Sequence, residues 1–461
     1  MTQDTLTSRT IHGLKWSVVA QILNAATTVA TVAVLARLLD PPTFGLVAMG
    51  LVVMRFVQYF AQMGVGAALV QKSELTSDDI RAGVTSSLLL GAAACGLLLL
   101  AAPLVRPLFP NPQVVPVLRV MTLNFVLNGA TITSLALLRR GLAFKALAIV
   151  DTATYVVGYG ATSIVLAAVG LGVWSLVYAS LVQSAMTAVT YHALTRHPVR
   201  PLFAARVYRT LYSYGARVSV NQFFEFLSAN MDTMWAGHYL STRNLGIYTR
   251  SYTLVSLPNQ YLGTSFTRVL FPSFSRVQGD TTRLRDAYLP AVMVAVIIGT
   301  PLRRGVAAAA AQVVDVVLGH RWHAGVPVAG ILAIGQVFVG FAYVPVLRRV
   351  LDTSARQVLR AYLPGATAGA CTAALIGLIG VAGSRLGLPA AATLAVQMVA
   401  GLVVVVRWLL RSGRGAAWRE MRRRLVGPQT EPPQGHLAGV VRRLDALAAR
   451  GAVEPAGQSG S

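Results

Sequence analysis

Read for charge, the chain is a series of long apolar stretches separated by short polar ones. No Asp, Glu, Lys or Arg occurs from Trp16 to Ala36, Ala82 to Val105, Ala324 to Leu347, Ala361 to Ser384 or Leu386 to Val406, and each window reaches the roughly 20 residues a helix needs to cross a bilayer. The stretch from Thr152 to Thr195 is charge-free for about twice that length, and Gly170-Leu171-Gly172 interrupts it near the middle, so two spans are expected there. The whole pattern predicts helices near 12–38, 43–69, 82–105, 114–138, 145–169, 171–194, 208–236, 244–272, 286–318, 325–347, 359–383 and 387–410. The expected fold class is therefore an all-α integral membrane protein of about twelve transmembrane helices.

A short motif repeats between these spans. LARLLDPPTFGL, from Leu35 to Leu46, returns about two hundred residues later as GHYLSTRNLGI, and at one constant offset Leu39 matches Leu240, Phe44 matches Leu245, Gly45 matches Gly246 and Leu46 matches Ile247. Each copy is a polar turn between two apolar segments, so the copies mark corresponding hairpins of two pseudo-symmetric lobes. The expected lobes are 1–200, with six helices, and 201–411, with about six. Residues 412–461 form a basic tail, expected to lose order from about Gly427, where Pro, Gln and Gly accumulate.

Composition agrees with a bilayer: 55% of the residues are hydrophobic and 12% charged, with a mean hydropathy of +0.60. The formal net charge of +24 would point to nucleic acid in a soluble chain, but here the basic residues lie between spans and in the tail, where they set topology. Arg139, Arg140 and Lys145, then Arg276, Arg283 and Arg285, then Arg348, Arg349, Arg356 and Arg360 all fall on one side. The alternate loops carry little beyond Arg37, Arg106, Arg243, Arg321 and Arg385, so both termini are expected in the cytoplasm. Cys95 and Cys371 sit in separate apolar helices and make no disulfide framework. The first apolar segment lacks a small-residue cleavage site and is expected to remain as helix 1.

The candidate chemistry lies inside the spans. Ser17, Gln21, Asn24, Thr28 and Thr31 fall within an arc of roughly 80° on helix 1, and Arg217, Asn221, Glu225, Ser228 and Asp232 within a similar arc on helix 7. The repeat offset maps Asn24 to Glu225 and Thr31 to Asp232. Such faces must meet water, substrate or another helix, because unpaired polar groups in hydrocarbon cost several kcal/mol. Two readings stand: a central cavity between the lobes, or polar contacts that hold helices together. Further intramembrane charges are Arg55, Arg119, Asp151, Arg250, Arg303 and Arg304. Cations predominate, and a guanidinium is always charged and binds phosphate in a bidentate manner, which suits an anionic substrate such as a diphosphate. Arg55 and Arg217, with Asn24 and Asn221, are the expected substrate-binding residues, while Arg119 and Arg250 fall near predicted outer ends. Glu225 and Asp232 are read as coupling or lobe-packing groups, and Gly299 with Pro301 as a hinge in helix 9. Enzyme signatures of the HExxH, GxSxG and Walker A kinds are missing, His320 and His323 beside Trp322 are not expected to ligate metal, and neither metal nor cofactor is assigned.

Several motifs carry a family resemblance: GLKWSVVAQ from Gly13, LARLLDPPTFGLVAM from Leu35, GVGAALVQ from Gly64, LLRRGLAFKALAIVD from Leu137 and GLGVWSLV from Gly170. In the second half NMDTMWAGHYLSTRNLGIYTRSYTL, LPNQYLGTSFTRVLFPSFSRVQ and the LGHRW around Trp322 continue it. Over about residues 10 to 345 the chain resembles bacterial polysaccharide flippases of the Wzx type, in the MATE-like superfamily. That resemblance implies two lobes alternating access around a cationic cavity and a lipid-linked oligosaccharide, carried on undecaprenyl diphosphate, as substrate. It also implies residence in the bacterial cytoplasmic membrane among membrane lipids, contact with other polysaccharide-assembly proteins, and a recurrent acidic position at Asp232. Family members commonly have fourteen helices; after Pro345 this chain passes almost at once to segments resembling the last two, so the second lobe is about two helices shorter. Alternatives are an ion-coupled small-molecule or multidrug exporter of the same superfamily, for which the first lobe offers only Asp151 within a helix, and a transport-dead membrane scaffold.

Overall fold

The computed structural model describes residues 23–62, 64–72, 74–109, 111–203, 230–256, 281–342 and 354–412. Every regular element among them is a helix. In chain order these are α1 (Leu23–Leu38), α2 (Pro41–Gln62), α3 (Val65–Gln71), α4 (Ser77–Ala101), α5 (Val114–Met121), α6 (Leu123–Arg140), α7 (Phe144–Ala153), α8 (Thr162–Ala168) and α9 (Val173–Thr195). They continue as α10 (230–239) and α11 (242–256), then α12 (Thr281–Ala308), α13 (Ala310–Val317), α14 (Val326–Ala342), α15 (Ala355–Arg385) and α16 (Ala390–Ser412). Seven helices among the described residues are long and apolar enough to cross a membrane; the expected total of twelve draws on segments that lie partly outside them. Leu97, Leu100 and Leu104 are 66%, 84% and 74% exposed, an arrangement that hydrocarbon rather than water tolerates.

The boundaries follow local chemistry. Gly170 at φ 91 and Gly172 at φ 55 separate the two expected spans in the charge-free stretch, since both adopt backbone angles that favour glycine. The third span starts five residues before its charge-free window, because Thr76 and Asp79 form a capping box and the acidic residues Asp78 and Asp79 sit in the first turn, where the helix dipole favours them. The expected single span at 43–69 is two helices, with Gly64 at φ 67 between α2 and α3. Arg140 then donates to the carbonyls of Leu69, Val70 and Lys72, capping the end of α3. A residue expected to report topology is thus also a structural cap.

The chain divides into two compact units, residues 1–254 with 317–325, and residues 255–316 with 326–461. In the first, α4 and α6 approach closely through glycine: a Cβ on Gly91 would lie 2.5 Å from the Phe125 carbonyl oxygen, and one on Gly129 2.5 Å from that of Ser87. Asn124 of α6 donates to Ser180 of α9 and accepts from Ser184, at 3.2 and 2.7 Å. Between α7 and α8 the helix widens to a π-helix over Thr154–Ala161, where Gly158 leaves room for the backbone of Gln183 and Gly160 for Thr31 of α1. Thr31, from the expected polar face, is therefore a buried packing residue.

In the second unit, Gly365 and Gly369 of α15 lie against Val296 and Thr300 of α12, and Arg304 donates to the Ala366 carbonyl at 3.0 Å. Helix α12 runs unbroken through Gly299 and Pro301, and its interruption falls at Ala309. Close packing by the small-residue face of α15 supports the turn that proline would otherwise weaken.

Candidate functional site

The two copies of the repeated hairpin meet. Asp40 precedes Pro41 at the start of α2 and its carbonyl accepts from the Thr43 amide, while the Ser241 hydroxyl accepts from the Asn244 amide at the start of α11, so a polar residue stands before the second helix of each hairpin. That second helix starts just before the repeated glycine. A Cβ on Gly45 would lie 1.8 Å from the Thr242 carbonyl oxygen, and a Cβ on Gly246 would lie 1.9 Å from that of Pro41. The contact is reciprocal, glycine of one copy on backbone of the other, as a local two-fold axis requires. Around it Leu39, Phe44, Leu46, Leu245 and Ile247 are all buried.

From this contact the helices carry a polar and aromatic cluster. Arg55 of α2 donates to Oδ1 of Asn230 on α10 at 3.2 Å, joining a span of the first half to one of the second. Asn230 is buried, whereas Asp232, two positions further, is exposed and accepts from the Tyr248 hydroxyl of α11. Tyr252 lies close enough to feel the charges of both Asp232 and Arg55, and its ring stacks on that of Tyr248 at 6.3 Å. Arg250 of α11 sits with its guanidinium 4.5 Å from the centroid of Phe44, within electrostatic reach of Tyr155 and Tyr159. Its Nε is buried and has no hydrogen-bond partner among the described residues. A desolvated donor on a fixed cation is costly, about 1–3 kcal/mol, and an anion is the chemistry that satisfies it.

Of the sequence-predicted residues, the structure brings Arg55 beside Asn230, sets Asp232 against Tyr248, and leaves Asn24 half-buried on α1. Arg217, Asn221 and Glu225 lie outside the described residues. Asp151 accepts from the Tyr191 hydroxyl, and Arg119 is exposed. Two participants were not singled out in the sequence. Asn230 falls about 200° around the helix from Asp232, off the polar arc that selected its neighbours. Arg250 falls near a predicted helix end in the sequence, and its packing against Phe44 is what places it in the fold.

A family model described as "Polysaccharide biosynthesis protein" matches residues 34–327. The lipopolysaccharide biosynthesis protein WzxC of Escherichia coli K12 is 25% identical over 335 residues, covering 71% of this chain and 67% of WzxC. The succinoglycan biosynthesis transport protein ExoT of Rhizobium meliloti is 26% identical over 334 residues, covering 72% of this chain and 67% of ExoT. Among solved structures, the lipid II flippase MurJ in an inward closed conformation superposes with a TM-score of 0.52 over 97% of both chains at 10% identity. An inward-facing MATE-family multidrug transporter gives 0.53 over 87% of this chain and 96% of its own at 15% identity. The structures establish the fold. With well over half of its length matched by the family model, the chain belongs to the polysaccharide biosynthesis protein family, and its fold is that of a multi-pass, MATE-like helical membrane protein.

Proposed function

We propose that this chain moves an undecaprenyl-diphosphate-linked oligosaccharide from the cytoplasmic to the outer leaflet during surface polysaccharide synthesis, by alternating access. The carrying observation is Arg55, a cation on a span of the first half that is held by Asn230 of the second; Arg250, on another face of α11, adds a buried Nε with no partner among the described residues. In this reading the diphosphate meets Arg55 and Arg250, with Arg217, Asn24 and Asn221 along the same path, and the prenyl tail stays in lipid. Glu225 and Asp232 act in coupling or lobe packing. Lobes at 1–200 and 201–411 exchange access, Gly299 and Pro301 give α12 a hinge that flexes between the two states, both termini face the cytoplasm, and other assembly proteins receive the product. The protein need only bind its cargo in two orientations and switch between them.

Deleting the gene tests this in the cell. Lipid-linked oligosaccharide should accumulate on the inner leaflet and one surface polysaccharide should be depleted, with both restored by the wild-type gene and poorly by Arg55→Ala. Normal polymer with altered drug sensitivity would assign the chain to small-molecule export instead.

A further inference from the structure

The two hairpins are held by more than their glycine contact. Trp322, fully buried, donates from Nε1 to the Ala36 carbonyl at 2.9 Å and meets the Phe44 ring edge-on at 5.3 Å. Arg37 of the same hairpin donates to the Val317 carbonyl at 3.0 Å, and Arg321 pairs with Asp40 at 3.3 Å. So the segment 317–325, from the second half of the sequence, grips the hairpin of the first half. The converse also holds. A Cβ on Gly237 would lie 2.6 Å from the Phe109 ring, His238 Nδ1 is 2.9 Å from the Leu108 carbonyl, and Asn111 donates to the Thr242 hydroxyl at 3.2 Å. The segment 108–111, from the first half, grips the hairpin of the second.

The correspondence is residue by residue. At the offset that matches Gly45 to Gly246, Ala36 matches Gly237 and Arg37 matches His238. An aromatic ring covers the first position in each copy, Trp322 or Phe109, and the next residue reaches a backbone carbonyl of the same gripping segment in each. Each segment lies at the end of a long helical run, 108–111 after α4 and 317–325 after α12 and α13.

We propose that these segments are paired clasps, each half of the repeat fastening the other half's hairpin, and that both must release before the transport path opens at this end of the molecule. The proposal rests on the transport reading above. A clasp that crosses between repeats stabilises only the state in which the hairpins touch, so it acts on the conformational equilibrium rather than on one helix alone. Because the two hairpins also touch through Gly45 and Gly246, parting them disturbs both clasps at once, which couples their release.

The test is to lock each clasp in turn. In protein with Cys95→Ala and Cys371→Ala, one variant carries Asp40→Cys with Arg321→Cys and another Asn111→Cys with Thr242→Cys, and each is joined by a short, reducible bis-methanethiosulfonate. Export in vesicles should fall at least tenfold on crosslinking at either clasp and return on reduction. Complete crosslinking at either clasp with export within twofold of the untreated protein would overturn the proposal. A second arm does not depend on export. A Leu245→Cys reporter, buried in the hairpin contact, should react with maleimide in nanodiscs at least tenfold faster with Trp322→Ala, and faster to a lesser degree with Trp322→Phe, which keeps a ring but loses the N–H. Unchanged labelling in both variants would also overturn it. Wild-type protein that inserts but exports nothing, while Trp322→Ala still speeds the labelling, would overturn the transport reading and with it the gating role, whereas the fastening of the hairpins would stand on the labelling.

Discussion

Replacing Gly45 by alanine perturbs the hairpin contact by a single methyl group. The new Cβ would lie 1.8 Å from the Thr242 carbonyl oxygen, and real Cβ atoms essentially never come within 3.0 Å of a neighbour, so the hairpins must part by about 1.2 Å. Backbone on both sides leaves no flexible side chain to give way. Overpacking of this kind costs about 1–3 kcal/mol, which shifts a two-state equilibrium by roughly 5- to 150-fold against the closed contact. Gly246→Ala should act alike, since its Cβ would lie 1.9 Å from the Pro41 carbonyl oxygen. The double variant should cost much less than the sum, because hairpins already parted for one methyl accommodate the second. Hydrogen exchange of the amides in 40–46 and 241–247, measured in nanodiscs, reads local opening directly. Unchanged exchange in both single variants, or strictly additive effects in the double, would refute a reciprocal backbone contact.

Arg250→Gln should reduce export at least as strongly as Arg55→Ala while leaving the protein inserted and abundant, and Arg250→Lys should fall between, because lysine keeps the charge but loses the planar fork; export assayed against membrane abundance decides it. Tags placed after Gln278 and after Gln434 should report cytoplasm and one near Thr242 the outside, and an external Gln434 would mean an odd number of spans. His197, just past α9, is buried and within 2.8 Å of the Ser134 hydroxyl, and burial holds its imidazole below the ordinary range. The unfolded chain therefore takes up the proton more readily. The contribution is fully present above about pH 6.5 and lost as pH falls through the lowered folded value, aided by repulsion from His192, whose ring lies 4.8 Å away. Melting temperature should fall on acidification in the wild type and less steeply in His197→Gln.

The charge-free windows located the spans because a helix in lipid has no other way to satisfy its backbone, so composition alone nearly determines its existence. They misjudged ends where acidic capping residues belong to the helix, as at Asp78 and Asp79, and breaks that depend on one backbone angle, as at Gly64. The hairpin repeat was legible at Gly45 and Gly246, but a repeat states equivalence and not contact. That the copies touch, glycine to backbone, is a property of the folded chain that the repeat alone does not state. The polar arc of helix 7 names Asp232 and the search for intramembrane charges names Arg55, but neither selects Asn230, since one arc of a helix is taken to serve one site, whereas on α10 Asn230 and Asp232 bond to different helices. In the sequence Trp322 stands out for its flanking histidines and as part of the LGHRW motif, neither of which names its contacts. Nothing in local periodicity tells which distant hairpin a loop will cover, and its partners Ala36 and Phe44 lie about 280 residues away.

Transport itself is most directly measured with the purified chain in vesicles loaded with an undecaprenyl-diphosphate-linked oligosaccharide whose sugar is labelled. An impermeant sugar-oxidising enzyme added outside would modify only the exposed leaflet's share of the lipid. The account predicts that nearly all of the labelled lipid becomes accessible over time in vesicles containing the wild-type chain, that the rate falls with Arg55→Ala, and that protein-free vesicles stop at about half. Accessibility that stays at half in the presence of inserted, folded protein would contradict it and leave the chain a membrane scaffold.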